Sequence, residues 1–293
     1  MPEQQIKYHP YHDLLPILYL LGQMTISGTF IVFFLITYLT FDDTLFNNRY
    51  TVFTKGIKWL LLAGIILWLL QLFFSRRKKG FNRTGHSESF YGIFIYCLFL
   101  SLLGLSLILQ SFSSSVHLLN LLLLVLILAF LWIFARKYNL SPDRPAWNHP
   151  TTSGGIVQGA IAIGISIGLW IYPNPQLQIS LGCCLLILLV IEIITLWSRF
   201  RFLSRANLST RTSLKTILGS HLILFTIRFV FGLIMPMAYL LWVVLFSSSI
   251  PLQPVIPMVL VGEISERLLF FVSCPAVTDY GIPSAATDNF SSQ

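Results

Sequence analysis

The stretch Leu118-Leu-Asn-Leu-Leu-Leu-Leu-Val-Leu-Ile-Leu-Ala-Phe-Leu-Trp-Ile-Phe-Ala135 carries no charged side chain and a single polar one, Asn120. A helix of that length, rising 1.5 Å per residue, reaches about 27 Å, close to the roughly 30 Å hydrocarbon thickness of a bilayer. Arg136 and Lys137 follow immediately, as basic residues do at the cytoplasmic end of a span. The segment reads as a membrane-crossing helix.

The whole chain has the same character. It has 293 residues, of which 55% are hydrophobic and 10% charged, with 24 Phe and 7 Trp. Soluble domains carry about 25% charged residues, so too little polar surface is available to cover a soluble core. The mean hydropathy of +0.77 agrees. Seven further apolar runs fall at 14–40, 56–74, 90–110, 154–172, 178–197, 219–247 and 254–273. The expected fold is all-α, a polytopic membrane protein built as a bundle of eight transmembrane helices over residues 1–273. A polar tail, 274–293, with two prolines and a Ser-rich end, reads as disordered. The first run is too long for the apolar core of a cleaved signal and is expected to be a retained span. Pro236 should kink the seventh helix.

The net charge of +8 is spread over short loops and makes no basic nucleic-acid-binding domain. Arg76, Arg77, Lys78, Lys79 and Arg83 follow the second run. Arg136, Lys137 and Arg144 follow the fourth, and Arg199, Arg201, Arg205, Arg211 and Lys215 the sixth. The opposite connections hold Arg49, Lys55 and Lys58. By the positive-inside rule both termini and the three basic loops face the cytoplasm.

Several chemistries find no signature. Cys97, Cys183, Cys184 and Cys274 lack metal-ligand spacing. His117 and His221 fall at opposite membrane faces, which disfavours a bis-histidine haem. No phosphate loop, dinucleotide fingerprint or H-E-x-x-H is present. Glycines 155, 159, 164 and 168 have the spacing that lets helices approach closely.

Ionisable groups within spans are costly, and they are where function is sought. Glu192, Arg228, Glu263, Glu266 and Arg267, with the uncharged Gln23, sit on four different runs. Counting residues inward from the basic side places them within about 8–15 Å of that face. Glu263 and Arg267 are four apart and share a helix face. The group is either a set of ion pairs that lock helices, for instance Glu192 with Arg228, or a polar pocket that handles protons. Two loops add candidates: 136–150 with Arg136, Tyr138 and Trp147, and 75–89 with His86 and Glu88.

These residues bring a family into view. His12-Asp13, Gly22-Gln23, Gly28 with Phe30-Ile31-Val32, and Phe81-Asn82 are similar to the first part of the DmsC-type membrane anchor subunit of dimethyl sulfoxide reductase and related molybdenum enzymes. Arg136, Tyr138, Asn139, Pro145, Trp147 and Thr152 resemble its R-x-Y-N…P-x-W…T stretch, and Arg228 falls at its seventh-helix Arg. Gly262-Glu263-x-x-x-Arg267-x-x-Phe270 resembles its G-E-x-x-x-R-x-x-F ending. The likeness runs in order over about residues 11–273.

The resemblance implies a subunit of the bacterial inner membrane in anaerobic respiration. It would hold an iron–sulfur electron-transfer subunit and a molybdopterin catalytic subunit at the bilayer. It would oxidise menaquinol as a diffusible substrate and pass electrons to the nearest cluster, with no haem or metal of its own. Glu263 would accept a proton, with Gln23, Arg136, Tyr138, Trp147, Arg228 and Arg267 around the quinol. The family's quinol-associated His aligns with Phe73, which leaves His86 and Glu88 as the nearby proton-handling candidates. Its partner-binding loops are thought to face the periplasm, whereas the charge rule puts the same loops here in the cytoplasm. Either the basic loops dock an acidic iron–sulfur subunit, or the catalytic subunits of this member face inward. The alternative reading is a small-solute or proton-coupled membrane transporter, in which the same ionisable residues form the substrate site.

Overall fold

The computed structural model describes residues 11–39, 55–56, 58–67, 69, 86–112, 117–139, 149–172, 174–205, 214–215, 217–246 and 251–272. Among these residues the regular structure is entirely helical. Helices occupy each of the eight apolar stretches: α1 (Tyr11–Leu39), α2 (Lys58–Leu67), α3 (His86–Phe112), α4 (His117–Asn139), α5 (Pro150–Ile171), α6 (Pro175–Arg205), α7 (Leu222–Phe246) and α8 (Val255–Val272).

Among the described residues, five of them, α1, α4, α5, α6 and α7, are long and apolar enough to cross a membrane. The expected eight spans are thus matched in five. Within the described residues the apolar parts of α2 and α3 are shorter, at Lys58–Leu67 and Phe94–Ser106, and α8 carries Glu263, Glu266 and Arg267 within its 18 residues. The tail 274–293 and most of the loops 75–89 and 136–150 lie outside the described residues.

Burial in this protein is inverted relative to a water-soluble one. Among the described residues the two largest fully buried side chains are Arg228 and Arg267, while Leu121, Leu122, Val125, Leu128 and Trp132 on α4 and Ile187, Val190, Ile191, Ile194 and Trp197 on α6 are exposed. Leaving that much apolar surface in water would be unfavourable by about 25 cal/mol per Å². Lipid is the solvent that makes it neutral, and the chain is a membrane-embedded protein.

Helix α1, the most buried of the spans, forms the hub together with α5. It packs most extensively on α5 and also meets α4 and α8. The closest approach is at Gly28 and Gly164, where a Cβ on Gly28 would overlap the Ala160 carbonyl and one on Gly164 would overlap the Gly28 carbonyl. The small residues of α5 therefore serve backbone contact, as their spacing suggests. Phe30 meets Phe99 edge to face at 5.3 Å and secures α3 to the hub.

Local sequence explains two helix ends. Helix α5 begins at Pro150, whose missing N–H costs nothing in the first turn. His149 is extended (φ −138°, ψ 136°), and its Nδ1 accepts the Thr151 N–H at 3.3 Å as an N-cap. Partial burial, and then the nearby Arg199 charge, hold the His149 pKa below its usual 6.5, which suits an imidazole nitrogen acting as acceptor. Helix α6 runs to Arg205, eight residues past the expected end at 197. Its terminal arginines are good helix formers and complement the negative end of the helix dipole.

A π-helical turn precedes Pro236, where the sequence predicts a kink. Residues Val230–Ile234 make a π-helical turn inside α7, with the Met235 N–H donating to the Val230 carbonyl five residues back. Proline at 236 cannot donate and crowds the carbonyl of Gly232 four residues earlier, and the wider turn absorbs that conflict.

Candidate functional site

Three helices supply one buried ionic cluster. Arg228 comes from the last turn before the π segment of α7, Glu192 from α6, and Glu263, Glu266 and Arg267 from α8. All are buried, with Arg228 2% exposed and Glu263 and Arg267 each 1%. Arg228 Nη2 donates to Glu266 Oε2 at 2.6 Å. The same nitrogen pairs with Glu192 and lies 3.7 Å from Glu263 Oε1. Arg267 Nη2 reaches Glu263 Oε2 at 3.2 Å and Glu266 Oε1 at 3.4 Å. It also donates to the Gly155 carbonyl of α5 at 3.2 Å.

Glycines make the room. Gly232 in the π turn faces Gly262 on α8, and a Cβ on Gly262 would come within 2.8 Å of Arg228 Nη1. A Cβ on Gly159 would overlap Glu263 Oε2 and approach Met24 Cε to 2.7 Å. The bare faces of α5 and α7 thus let long charged side chains lie against helix backbone, where carbonyls add hydrogen-bond acceptors.

One carboxylate oxygen from each of Glu192, Glu263 and Glu266 lies within 4.8 Å of the others, a spacing a cation could use. Arg228 Nη2 already contacts all three carboxylates, so the guanidinium stands where such an ion would sit. A divalent metal would have to displace it. The set reads as an ion-pair network in which each buried charge has opposite partners, the condition for tolerating charge at low dielectric.

The cluster is reached from a cavity of about 40 Å³, room for one or two waters. Its walls are mostly apolar and aromatic, including Leu196, Phe200, Phe225 and Phe270, and Arg199, Arg228 and Glu266 supply the polar end. Arg228 Nε has no hydrogen-bond partner among the described residues. Arg199 was not among the expected site residues. It lies 5.2 Å from the Phe270 ring centroid, and its charge acts on Glu266. With it, three carboxylates face three guanidiniums.

No family model, curated protein or solved structure matches this chain. The geometry therefore carries the functional argument.

Of the expected residues, Glu263, Arg228 and Arg267 are brought together, joined by Glu192 and Glu266. Gln23 is fully buried but faces α3, beside Tyr96. No hydrogen bond of good geometry reaches its amide among the described residues. Tyr96 donates to the Gly64 carbonyl at 3.4 Å. Arg136 is exposed at the end of α4, away from the cluster's contacts. The side chains of His86, Glu88 and Tyr138, and all of Phe73 and Trp147, lie outside the described residues.

Proposed function

We propose that the chain is the membrane anchor subunit of a molybdopterin oxidoreductase of the DmsC type, crossing the bacterial inner membrane eight times. In this reading it oxidises menaquinol and passes electrons to an iron–sulfur partner, which in turn feeds a molybdopterin subunit. The observation that carries the reading is the Glu192–Arg228–Glu266–Arg267–Glu263 cluster at the end of an aromatic-walled cavity.

Quinol oxidation releases two protons with two electrons, so a site needs proton acceptors and hydrogen-bond donors in an apolar cleft. Arg228 lines the cavity, which admits water but is too small for a quinol ring, so the quinol would sit at its mouth and its protons would enter through that water. Glu266 lines the same wall, and Glu263 sits one turn further along α8, bridged to it by both arginines. A proton taken at Glu266 passes to Glu263 by exchange within the network.

Purification of the full chain in mild detergent tests the assignment. Molybdenum and iron co-purifying in fixed ratio support it. Their absence, together with solute flux in liposomes, would replace it with the transporter reading, which the π turn beside Arg228 favours because interrupted helices mark transport sites.

A further inference from the structure

A second cleft, separate from the ionic cluster, lies between the start of α5 and the end of α6. It has a volume of about 480 Å³ and is lined by His149, Ser198, Arg201, Phe202 and Arg205. We propose that it binds the phosphodiester group of an anionic phospholipid.

Helix lengths place the cleft at headgroup depth. Helix α5 has 22 residues and α6 has 31, or about 33 and 46 Å. The connection between them is short, from Tyr172 to Asn174, so the two are level at that end. The first residue of α5 then lies beside residue 196 or so of α6, and the turns from Ser198 to Arg205 rise past it. Since hydrocarbon is about 30 Å thick, those turns leave the acyl region and enter the layer of phosphates. Trp197 is 65% exposed, as an interfacial aromatic should be.

The chemistry of the walls is that of an anion site. Ser198, Arg201, Phe202 and Arg205 are spaced i, i+3, i+4 and i+7 and share one face of α6. Arg201 and Arg205 are therefore like-charged neighbours four apart, an arrangement that is unfavourable by itself. No carboxylate pairs with either among the described residues. Phe202 packs against His149 with ring centroids 4.6 Å apart and planes tilted by 39°, and both line the cleft. His149 Nδ1 is committed to the Thr151 N–H, which leaves Nε2–H as a donor. The first turn of α5 is capped by that imidazole, so the arginines and the Ser198 hydroxyl would hold the ligand, not the helix end. Each guanidinium can donate two parallel hydrogen bonds to phosphate oxygens, the pairing arginine serves best, and the exposed apolar flank of α6 continues from the cleft toward the acyl region.

The test is binding of dioleoylphosphatidylglycerol to the delipidated full-length protein in detergent, read by native mass spectrometry. Dioleoylphosphatidylcholine, inorganic phosphate and an Asp/Glu-rich peptide are run in parallel. Saturable phosphatidylglycerol binding is expected, with the other three neither binding comparably nor displacing it. A juxtamembrane arginine changes affinity for anionic lipid about fivefold, so R201Q/R205Q should weaken binding about thirtyfold. R201K/R205K should restore most of it. K58Q removes one charge at the exposed Lys58, away from the cleft, and should change nothing.

Equal affinity in R201Q/R205Q and wild type, or an equal loss in K58Q, would overturn the proposal. Phosphatidylcholine binding as tightly, or displacement of the lipid by inorganic phosphate or by the acidic peptide, would overturn it too. Both arginines are exposed, and helical circular dichroism of each variant guards against reading misfolding as lost binding.

Discussion

Arg228 on α7 donates to Glu266 on α8 at 2.6 Å, and the same guanidinium nitrogen pairs with Glu192 on α6. One side chain thereby ties three helices together at a point with almost no access to solvent. Removing it leaves three carboxylates sharing Arg267 and Arg199. Breaking a buried ion pair by deleting one partner costs about 3–5 kcal/mol, so Arg228→Leu should be severely destabilised. Arg228→Lys, which keeps the charge without the planar fork, should lose less. Denaturation midpoints in detergent check this; a Leu variant as stable as wild type would show that the cluster does not hold the helices.

The hub contact predicts a different class of effect. Gly28→Ala drives a methyl group into the Ala160 carbonyl, an overpacking of about 1–3 kcal/mol. Gly154→Ala meets nothing within 4 Å and should be neutral or stabilising by up to about 1 kcal/mol through helix propensity. Comparing the two thermal midpoints separates helix crossing from general glycine effects. Equal shifts would contradict the assigned crossing point.

How much of this was legible in the sequence follows from cost. Charges in hydrocarbon are expensive enough that Glu192, Arg228, Glu263, Glu266 and Arg267 stood out singly, and residue counting put them at one depth; the Glu192 and Arg228 partnership was readable on the same grounds. Arg199 was hidden among the loop charges. Its signal was its register, seven residues after Glu192 and so on the same face of α6. Gln23 has the right depth but the wrong face, because α1 turns it toward Tyr96, and depth alone cannot set rotation. The π turn was invisible because Pro236 announces a disturbance without specifying how the preceding turn absorbs it.

His149 gives a pH test of the α5 cap. Its folded pKa lies below 6.5 through burial and the Arg199 charge, so the unfolded chain takes up a proton first as pH falls. The contribution is complete above about pH 6.5 and declines as pH drops toward the lower folded value. Thermal midpoints measured from pH 8 to 5 should fall on the acid side for wild type. The slope should flatten in His149→Asn, whose side chain caps without titrating. An identical slope in both proteins would remove His149 as its source.

The most direct test of the proposed quinol-oxidising role is the rate of menaquinol-driven turnover by the proposed complex, purified with Glu263→Gln or Glu266→Gln. Turnover driven by an artificial soluble donor is measured on the same samples. Loss of a positioned proton acceptor removes about a hundredfold or more. The quinol-driven rate should therefore collapse in both variants while the soluble-donor rate persists. Quinol-driven rates equal to wild type in both would contradict the account.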